Sequence, residues 1–401
     1  MTNSTVDLNQ AADAIALAEQ VVASGFRALK ESGGADVHQV LAYDLSHAAS
    51  ALATASSMLT YGEKGADEAK LAVAFTADAI AELGAKLVGR ESLWGITAEW
   101  AAPLSAFLST YRDPSFLASL AATQGPRHLD ADFELVGETF HRFAEEQIRP
   151  HAEHVHRTNG DAPEELISGL AELGGFGLSV PEEYDGFATG GESDYMGMCV
   201  ATEELTWGSL AIGGAMITRP EIICRSLMAG GTEAQRQEWL PKLASTEVMA
   251  AIAVTEPDFG SDVAGVVTTA TRTNGGWLLT GTKTWCTFAA RATVLLVLAR
   301  TDPDRSKGHR GLTQFLVPKP ITESHGFVMH QDAASEGRTD PDGKIEGRPI
   351  DTIGYRGMHS YEVSFENWFL ADDLVIGGEE GVGRGFYSQM AGFENGRIQT
   401  A

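Results

Sequence analysis

Cysteine, basic residues and long apolar runs are all scarce in this sequence of 401 residues. Its 3 cysteines, Cys199, Cys224 and Cys286, stand far apart and form no Cys-x-x-Cys pair. That argues against a disulfide framework or a cysteine-based zinc site and fits a reducing compartment. Lysine and arginine number 29 against 55 aspartates and glutamates, a formal net charge of −26. A polyanion is a poor partner for such a surface, because nucleic-acid binding works through basic side chains that displace counterions. The longest apolar stretches, such as Thr293–Ala299, are too short to span a bilayer. No basic flank followed by an apolar run marks a secretory signal near Met1. These absences predict a soluble, cytoplasmic chain with no nucleic-acid partner and no membrane insertion.

The length exceeds what one core usually supports, so several domains are expected. From Asp7 to about Thr110 apolar residues recur at helical spacing, as Val37, Leu41, Leu45, Ala48, Leu52, Ala55 and Leu59 do. After the Tyr61–Gly65 breaker, Leu71, Phe75, Ala79, Leu83 and Leu87 repeat the pattern. A helical hairpin or small bundle with a docking or structural role is expected there. Pro114 and Thr123–Pro126 read as a linker. Helical periodicity resumes in Asp132–Pro150, Pro163–Leu173, Met196–Leu210, Arg219–Gly230 and Thr232–Leu243.

The period changes at Val248. Met249–Val254, Trp277–Thr280, Thr284–Thr287, Val294–Arg300, Thr313–Pro318 and Val363–Asn367 have strand composition between turn residues. Such a series predicts an antiparallel β-barrel or sandwich. Arg305–Lys307 and His330–Gly347 read as polar loops, the second long and mobile. Helix signals return from Gly385 to the last residue, Ala401. The expected fold class is α+β multidomain. It comprises a helical N-terminal extension (1–120), a helical domain (128–246), a β-domain (247–376) and the first helix of a further helical domain (377–401).

Two segments carry chemistry. Ala251–Gly265 runs from a strand into a Gly-containing turn, where a bare backbone N–H and a serine hydroxyl can approach an anion. Gly281–Thr287 places Trp285 and Thr287 two apart, which on a strand means one face. An aromatic plane beside a hydroxyl suits a flavin ring, which needs stacking and a polar edge contact. Taken singly, a Trp and a Thr on a strand are usually core packing, and Thr255-Glu256-Pro257 is usually a turn.

Taken together and in this order, the two segments resemble the acyl-CoA dehydrogenase family. Leu170–Glu183, Gly354–Ser360 with Val363–Glu366, and Gly383–Phe386 with Met390 and Phe393–Arg397 are similar to further parts of it. The resemblance covers roughly Asp130 to Ala401. It implies non-covalent FAD, bound by Ile252, Ala253, Val254, Thr255, Gly260, Ser261, Trp285, Cys286 and Thr287. Ser261, Glu394 and Arg397 would meet the acyl-CoA. It also implies that a glutamate removes an α-proton while the β-hydrogen leaves as hydride. An electron-transfer flavoprotein as oxidant and a homo-oligomer, dimer or tetramer, follow from the same likeness.

The base is expected in a C-terminal helical domain beyond this sequence. Where some members carry it, directly before the arginine, Gly396 stands here, and Glu394 is two residues off. The ending Arg397–Ala401, without a cap or a Gly stop, is read as a truncation. Within the family, the helical extension and the runs His38–His47, Gly89–Gly95 and His359–Glu362 resemble the branch acting on (2S)-methylsuccinyl-CoA. That implies oxidation to mesaconyl-CoA in the ethylmalonyl-CoA pathway, with Arg219 the candidate for pairing the free carboxylate of the substrate. Another short-chain acyl-CoA dehydrogenase, an oxygen-using flavoenzyme of the same fold and a non-catalytic interaction protein remain alternatives. His151, His154 and His156 lie near an expected helix end with no supporting ligand cluster, so no metal is predicted. Gly383-Arg384-Gly385 lacks the βαβ setting of a dinucleotide fingerprint.

Overall fold

The computed structural model describes residues 6–322 and 325–400, so the expected helix end at Ala401 lies outside the described residues. Helix α1 (Leu8–Glu31) starts where the Asp7 carboxylate accepts the Asn9 amide proton, satisfying one orphan donor of the first turn. Ala11, Ala14, Ala18 and Val22 fall at three- and four-residue steps, with Leu29 two turns further on, and all are buried. They share one core with Leu45 and Leu52 of α2 (Gln39–Gly62) and Val73, Ile80 and Leu83 of α3 (Ala66–Leu87). Gly25 marks a close approach: an added Cβ would lie 2.5 Å from Leu45 Cδ2 and 2.9 Å from the Trp94 ring. Two short helices, α4 (Ser105–Tyr111) and α5 (Pro114–Ser119), follow, and Asp113 caps the second. Pro114 thus opens a helix instead of breaking into a linker, because proline is preorganised for the first turn. This unit ends at His128, and a second unit begins at Leu129.

The second unit opens with α6 (Ala131–Phe143), a π-turn at Ala144–Ile148 and α7 (Arg149–Thr158). The helical path continues without a break through Pro150, directly after the π-turn. His151, His154 and His156 therefore lie inside a helix that ends only at Asn159, in left-handed conformation at φ 55°. Then come α8 (Glu164–Glu172), α9 (Glu192–Gly208), α10 (Ala215–Gly230) and α11 (Glu233–Ala244). Helix α11 opens on a reciprocal cap. The Thr232 hydroxyl accepts from the Gln235 amide at 3.2 Å, and the Gln235 side chain accepts from the Thr232 amide at 3.1 Å.

Eight strands form one sheet: β1 (Ala250–Ala253), β2 (Thr269–Thr273), β3 (Gly276–Lys283), β4 (Val294–Arg300), β5 (Leu312–Pro318), β6 (Phe327–Gln331), β7 (Gly343–Ile350) and β8 (Ser360–Ala371). Its order is β1-β4-β2-β3-β8-β7-β6, with β5 on β4. The sheet is mixed and not purely antiparallel, because β1 runs parallel to β4 from Ala250↔Val294 to Ala253↔Val297. Strand β4 is buried along its whole length, with Leu295 and Val297 in the core between sheet layers and Val294 and Leu296 against α10 and α11.

Within the expected loop at His330–Gly347, residues 332–342 are turn and coil as read, but its two ends are the last residues of β6 and most of β7. Its polar residues lie on the outer face of the two strands at the end of the sheet, while Gly343, Ile345 and Gly347 are buried at every second position. Helix α12 (Gly385–Thr400) packs on α10 so closely that a Cβ on Gly392 would lie 2.7 Å from the Ile222 carbonyl oxygen. Among the described residues no helix is long and apolar enough to cross a membrane.

Candidate functional site

The two segments singled out in the sequence are stitched to each other. Lys283, at the end of β3, has no exposed side-chain surface; its Nζ donates to Glu256 Oε1 at 2.8 Å and to the Val254 carbonyl at 3.0 Å. Glu256 also accepts the amide protons of Val267 (2.7 Å) and Thr268 (2.9 Å). Burial pushes the Glu256 carboxyl up, but the ammonium and these hydrogen bonds outweigh it and hold it below the usual carboxylate range. Beside this pair the Thr284 amide donates to the Thr255 carbonyl at 2.8 Å.

Drawing Lys283 inward ends the strand. Thr284–Thr287 is therefore not the strand its composition predicts: Trp285 takes φ 58° and Phe288 φ 70°, both left-handed. The turn separates neighbouring side chains. Trp285 stands out, 56% exposed, while Thr287 is buried with its hydroxyl 3.0 Å from Ser360 Oγ. Cys286 turns into the β-core, where burial pushes its thiol up to about 12. Its amide donates to the Tyr361 carbonyl at 2.9 Å, which fixes the turn against β8.

Ile252, Val254, Thr255, Trp285 and Thr287 line one cavity of about 880 Å³. Arg219 from α10 and Arg397 from α12 line it too, and among the described residues no carboxylate does. Arg219 donates from Nη1 to the Ala215 carbonyl at 2.9 Å and lies 5.9 Å over the Tyr355 ring. Other candidates lie elsewhere. Ala253 is fully buried behind the wall, and Gly260 and Ser261 are exposed beyond the tight Glu256–Phe259 turn. Glu394 is exposed and lines a separate cavity of about 590 Å³ with Arg225, Tyr195 and Ser179.

Sequence reasoning passed over Glu256 and Lys283 as positioning residues, although a lysine ending an apolar strand was a usable signal. It also passed over Ser360, Tyr355 and the Gln399–Thr202 contact (3.4 Å), all at the cavity wall. No local spacing joins those positions. The cavity suits a flat aromatic group bearing polar edges. A half-exposed indole is held out on a left-handed turn, the Thr255 hydroxyl has no partner among the described residues, and Gln399 Oε1 is buried without one. An isoalloxazine ring fits that donor set and that plane.

Helices feeding a curled sheet, with a cavity between strand ends and two helices, match a known pair of domains. Residues 130–247 match the acyl-CoA dehydrogenase N-terminal domain, and residues 251–368 match the acyl-CoA dehydrogenase middle domain. The chain belongs to the acyl-CoA dehydrogenase family, a family of oxidoreductases. In particular it is similar to (2S)-methylsuccinyl-CoA dehydrogenase of Cereibacter sphaeroides, 40% identical over 281 residues that make up 70% of this chain and 47% of that protein. Mitochondrial isovaleryl-CoA dehydrogenase of Solanum tuberosum is 35% identical over 267 residues, 66% of this chain and 57% of its own. A glutaryl-coenzyme A dehydrogenase solved in complex with glutaryl-CoA superposes with a TM-score of 0.57 at 26% identity, covering 68% of this chain and 62% of that one. The chain thus spans about half the length of these curated relatives.

Proposed function

We propose that this chain supplies the flavin-facing part of a site that oxidises (2S)-methylsuccinyl-CoA to mesaconyl-CoA, in the cytoplasm and within the ethylmalonyl-CoA pathway. One observation carries the reading. The large cavity pairs an outstanding tryptophan with two arginines and no carboxylate among the described residues, in a chain of net charge −26. Such a lining favours a planar cofactor and an anionic substrate. The 40% identity to a methylsuccinyl-CoA dehydrogenase supports this substrate over other short acyl-CoAs.

In this reading Ile252, Val254, Thr255, Trp285 and Thr287 hold the ring of FAD, with Ala253, Gly260, Ser261 and Cys286 shaping the backbone around it. Bound FAD supplies hydride acceptance from the β-carbon. Trp285 stacks and excludes water, while the Lys283–Glu256 pair keeps the two wall segments in register. Arg219 neutralises the free carboxylate of the acyl group, whose unpaired burial would be too costly. Ser261, Glu394 and Arg397 attend the CoA arm. The α-proton needs a carboxylate, and among the described residues the cavity wall carries none, so in this reading the base reaches the site from outside that wall. Electron-transfer flavoprotein is the expected oxidant, and the working form a homo-oligomer.

The test uses the purified full-length protein. Anaerobic methylsuccinyl-CoA should bleach its flavin, and electron-transfer flavoprotein should restore the colour. Rapid recovery on oxygen alone would replace this reading with an oxygen-using flavoenzyme, and a protein that binds no flavin would overturn both. Arg219→Ala should raise KM for methylsuccinyl-CoA roughly 10–100-fold more than for butyryl-CoA, the worth of one hydrogen-bonded charge pair. Equal effects on the two substrates would remove Arg219 from the acyl pocket.

A further inference from the structure

We propose that Asp161, His325 and His359 form a binding site for one zinc-class divalent cation, away from the flavin cavity. Asp161 Oδ1 lies 3.0 Å from His359 Nε2 and 3.3 Å from His325 Nε2. The donor atoms of all three residues lie within 4.8 Å of one another. Zinc–ligand bonds of about 2.0–2.2 Å at tetrahedral angles put neighbouring donors roughly 3.4 Å apart. The cluster is therefore close to the spacing a cation requires before any cation enters.

Three remote segments build it, which is why no spacing in the sequence announced it. Helix α7 ends in the left-handed residue Asn159, which turns Gly160 and Asp161 back toward the sheet. There the Ala162 amide donates to the Gly357 carbonyl at 2.8 Å. His359 sits at φ 46°, which histidine seldom adopts, and its carbonyl accepts the Phe288 amide at 2.8 Å. His325 arrives just before β6, its ring centroid 4.3 Å from that of His359.

An ordinary ion pair does not account for this arrangement. One imidazole is enough to pair one carboxylate, yet two point a nitrogen at the same Oδ1, and one of them is buried. Two imidazolium rings in contact would repel, whereas a cation takes both as neutral ligands beside an anionic oxygen. Without metal, the His359 Nε2–H has both Asp161 and the Gly160 carbonyl (3.1 Å) to donate to. Metal would shift that proton to Nδ1.

Surroundings leave room. Asp161 borders a cavity of about 400 Å³ in which the nearby cation, Arg291, is closed bidentately on Glu164 at 2.5 and 2.7 Å. Water from that cavity can complete the coordination. A bound ion would tie the turn after α7 to the segments preceding β6 and β8, one residue from Ser360 in the flavin-cavity wall.

Calorimetric titration of zinc into the full chain tests this independently of any substrate. One equivalent should bind, and Asp161→Asn and His325→Ala, both at exposed positions, should each weaken binding at least ~10-fold with unchanged far-UV circular dichroism. Cobalt in place of zinc should give tetrahedral absorption that both variants lose. The combined variant His151→Ala, His154→Ala and His156→Ala should bind zinc like the parent. No stoichiometric binding, binding untouched by Asp161→Asn and His325→Ala, or binding lost only with the α7 histidines would overturn the proposal.

Discussion

The interior of residues 6–128 is nearly all hydrocarbon, whereas residues 129–400 bury ions and amides throughout. In the helical unit Glu68 and Thr76 are the buried polar side chains among the described residues, and Glu68 is met by His128 at 2.6 Å. The second unit buries Glu256, Lys283, Arg300, Gln314, Lys319 and His359. Its Lys319 is brought down to about 8 by burial, aided by the nearby Arg291 charge. Backbone strain divides the same way. His128 is the left-handed non-glycine residue described in the first unit, against Trp285, Phe288, Tyr355, His359 and others in the second. Buried charge and strained torsions cost stability and persist only where the surroundings over-determine them. Trp285 and Tyr355 line the cavity and the Lys283–Glu256 pair ties two of its wall segments together, so part of this cost in the second unit goes to placing that wall.

Removing the Glu256 carboxylate should separate the two most. Glu256→Ala leaves Lys283 buried and unpaired, which costs about 3–5 kcal/mol. Hydrogen exchange should rise across β1, β3 and β4 while α1–α3 stay protected, and flavin binding should be lost. Exchange rising equally in α1–α3 would break the contrast. Next in size, Leu45→Ala opens a hole beside Gly25 and Trp94 and should cost about 2–5 kcal/mol. That loss should appear in α1–α3 exchange with flavin affinity unchanged; a weakened flavin would show that the helical unit does more than pack.

Acid should produce the smallest difference. Glu68 is held below the usual carboxylate range, first by a backbone hydrogen bond and then by His128. A depressed carboxyl stabilises above its unfolded pKa and loses that contribution as pH falls through the folded value. Glu68→Gln should therefore lower Tm near neutrality, and the gap to the parent should close below about pH 4.5. A gap that widens in acid would reverse the sign and refute the assignment.

These contrasts also explain what the sequence could tell. Helices α1–α3 were legible because Leu45, Ala48 and Leu52 repeat on one stripe whatever lies far away. Strand β4 was legible because both its faces are covered, leaving an unbroken apolar run. Strand β7 was not, since half its residues face outward and read as loop. The turn at Trp285 was hidden for a deeper reason: it depends on Lys283 finding Glu256, 27 residues earlier in the chain. Ser360 came to the cavity wall through pairing with Thr287, 73 residues away, and Asp161 met His359 across 198 positions (359 − 161). Periodicity reports local order, and the site is made of long-range coincidences.

The two arginines of the cavity have a kinetic consequence. If the cavity takes an acyl-CoA as proposed, a chain of net charge −26 repels that anion at long range, while Arg219 and Arg397 in the cavity wall attract it at contact. Encounter and capture therefore have opposite electrostatic signs. Salt screens the first over a length of about 8–10 Å at 0.1–0.15 M and leaves a partly enclosed contact far less affected. Added salt should hasten the approach of an acyl-CoA while loosening its grip only slightly, the reverse of the usual case in which charge steers a ligand home.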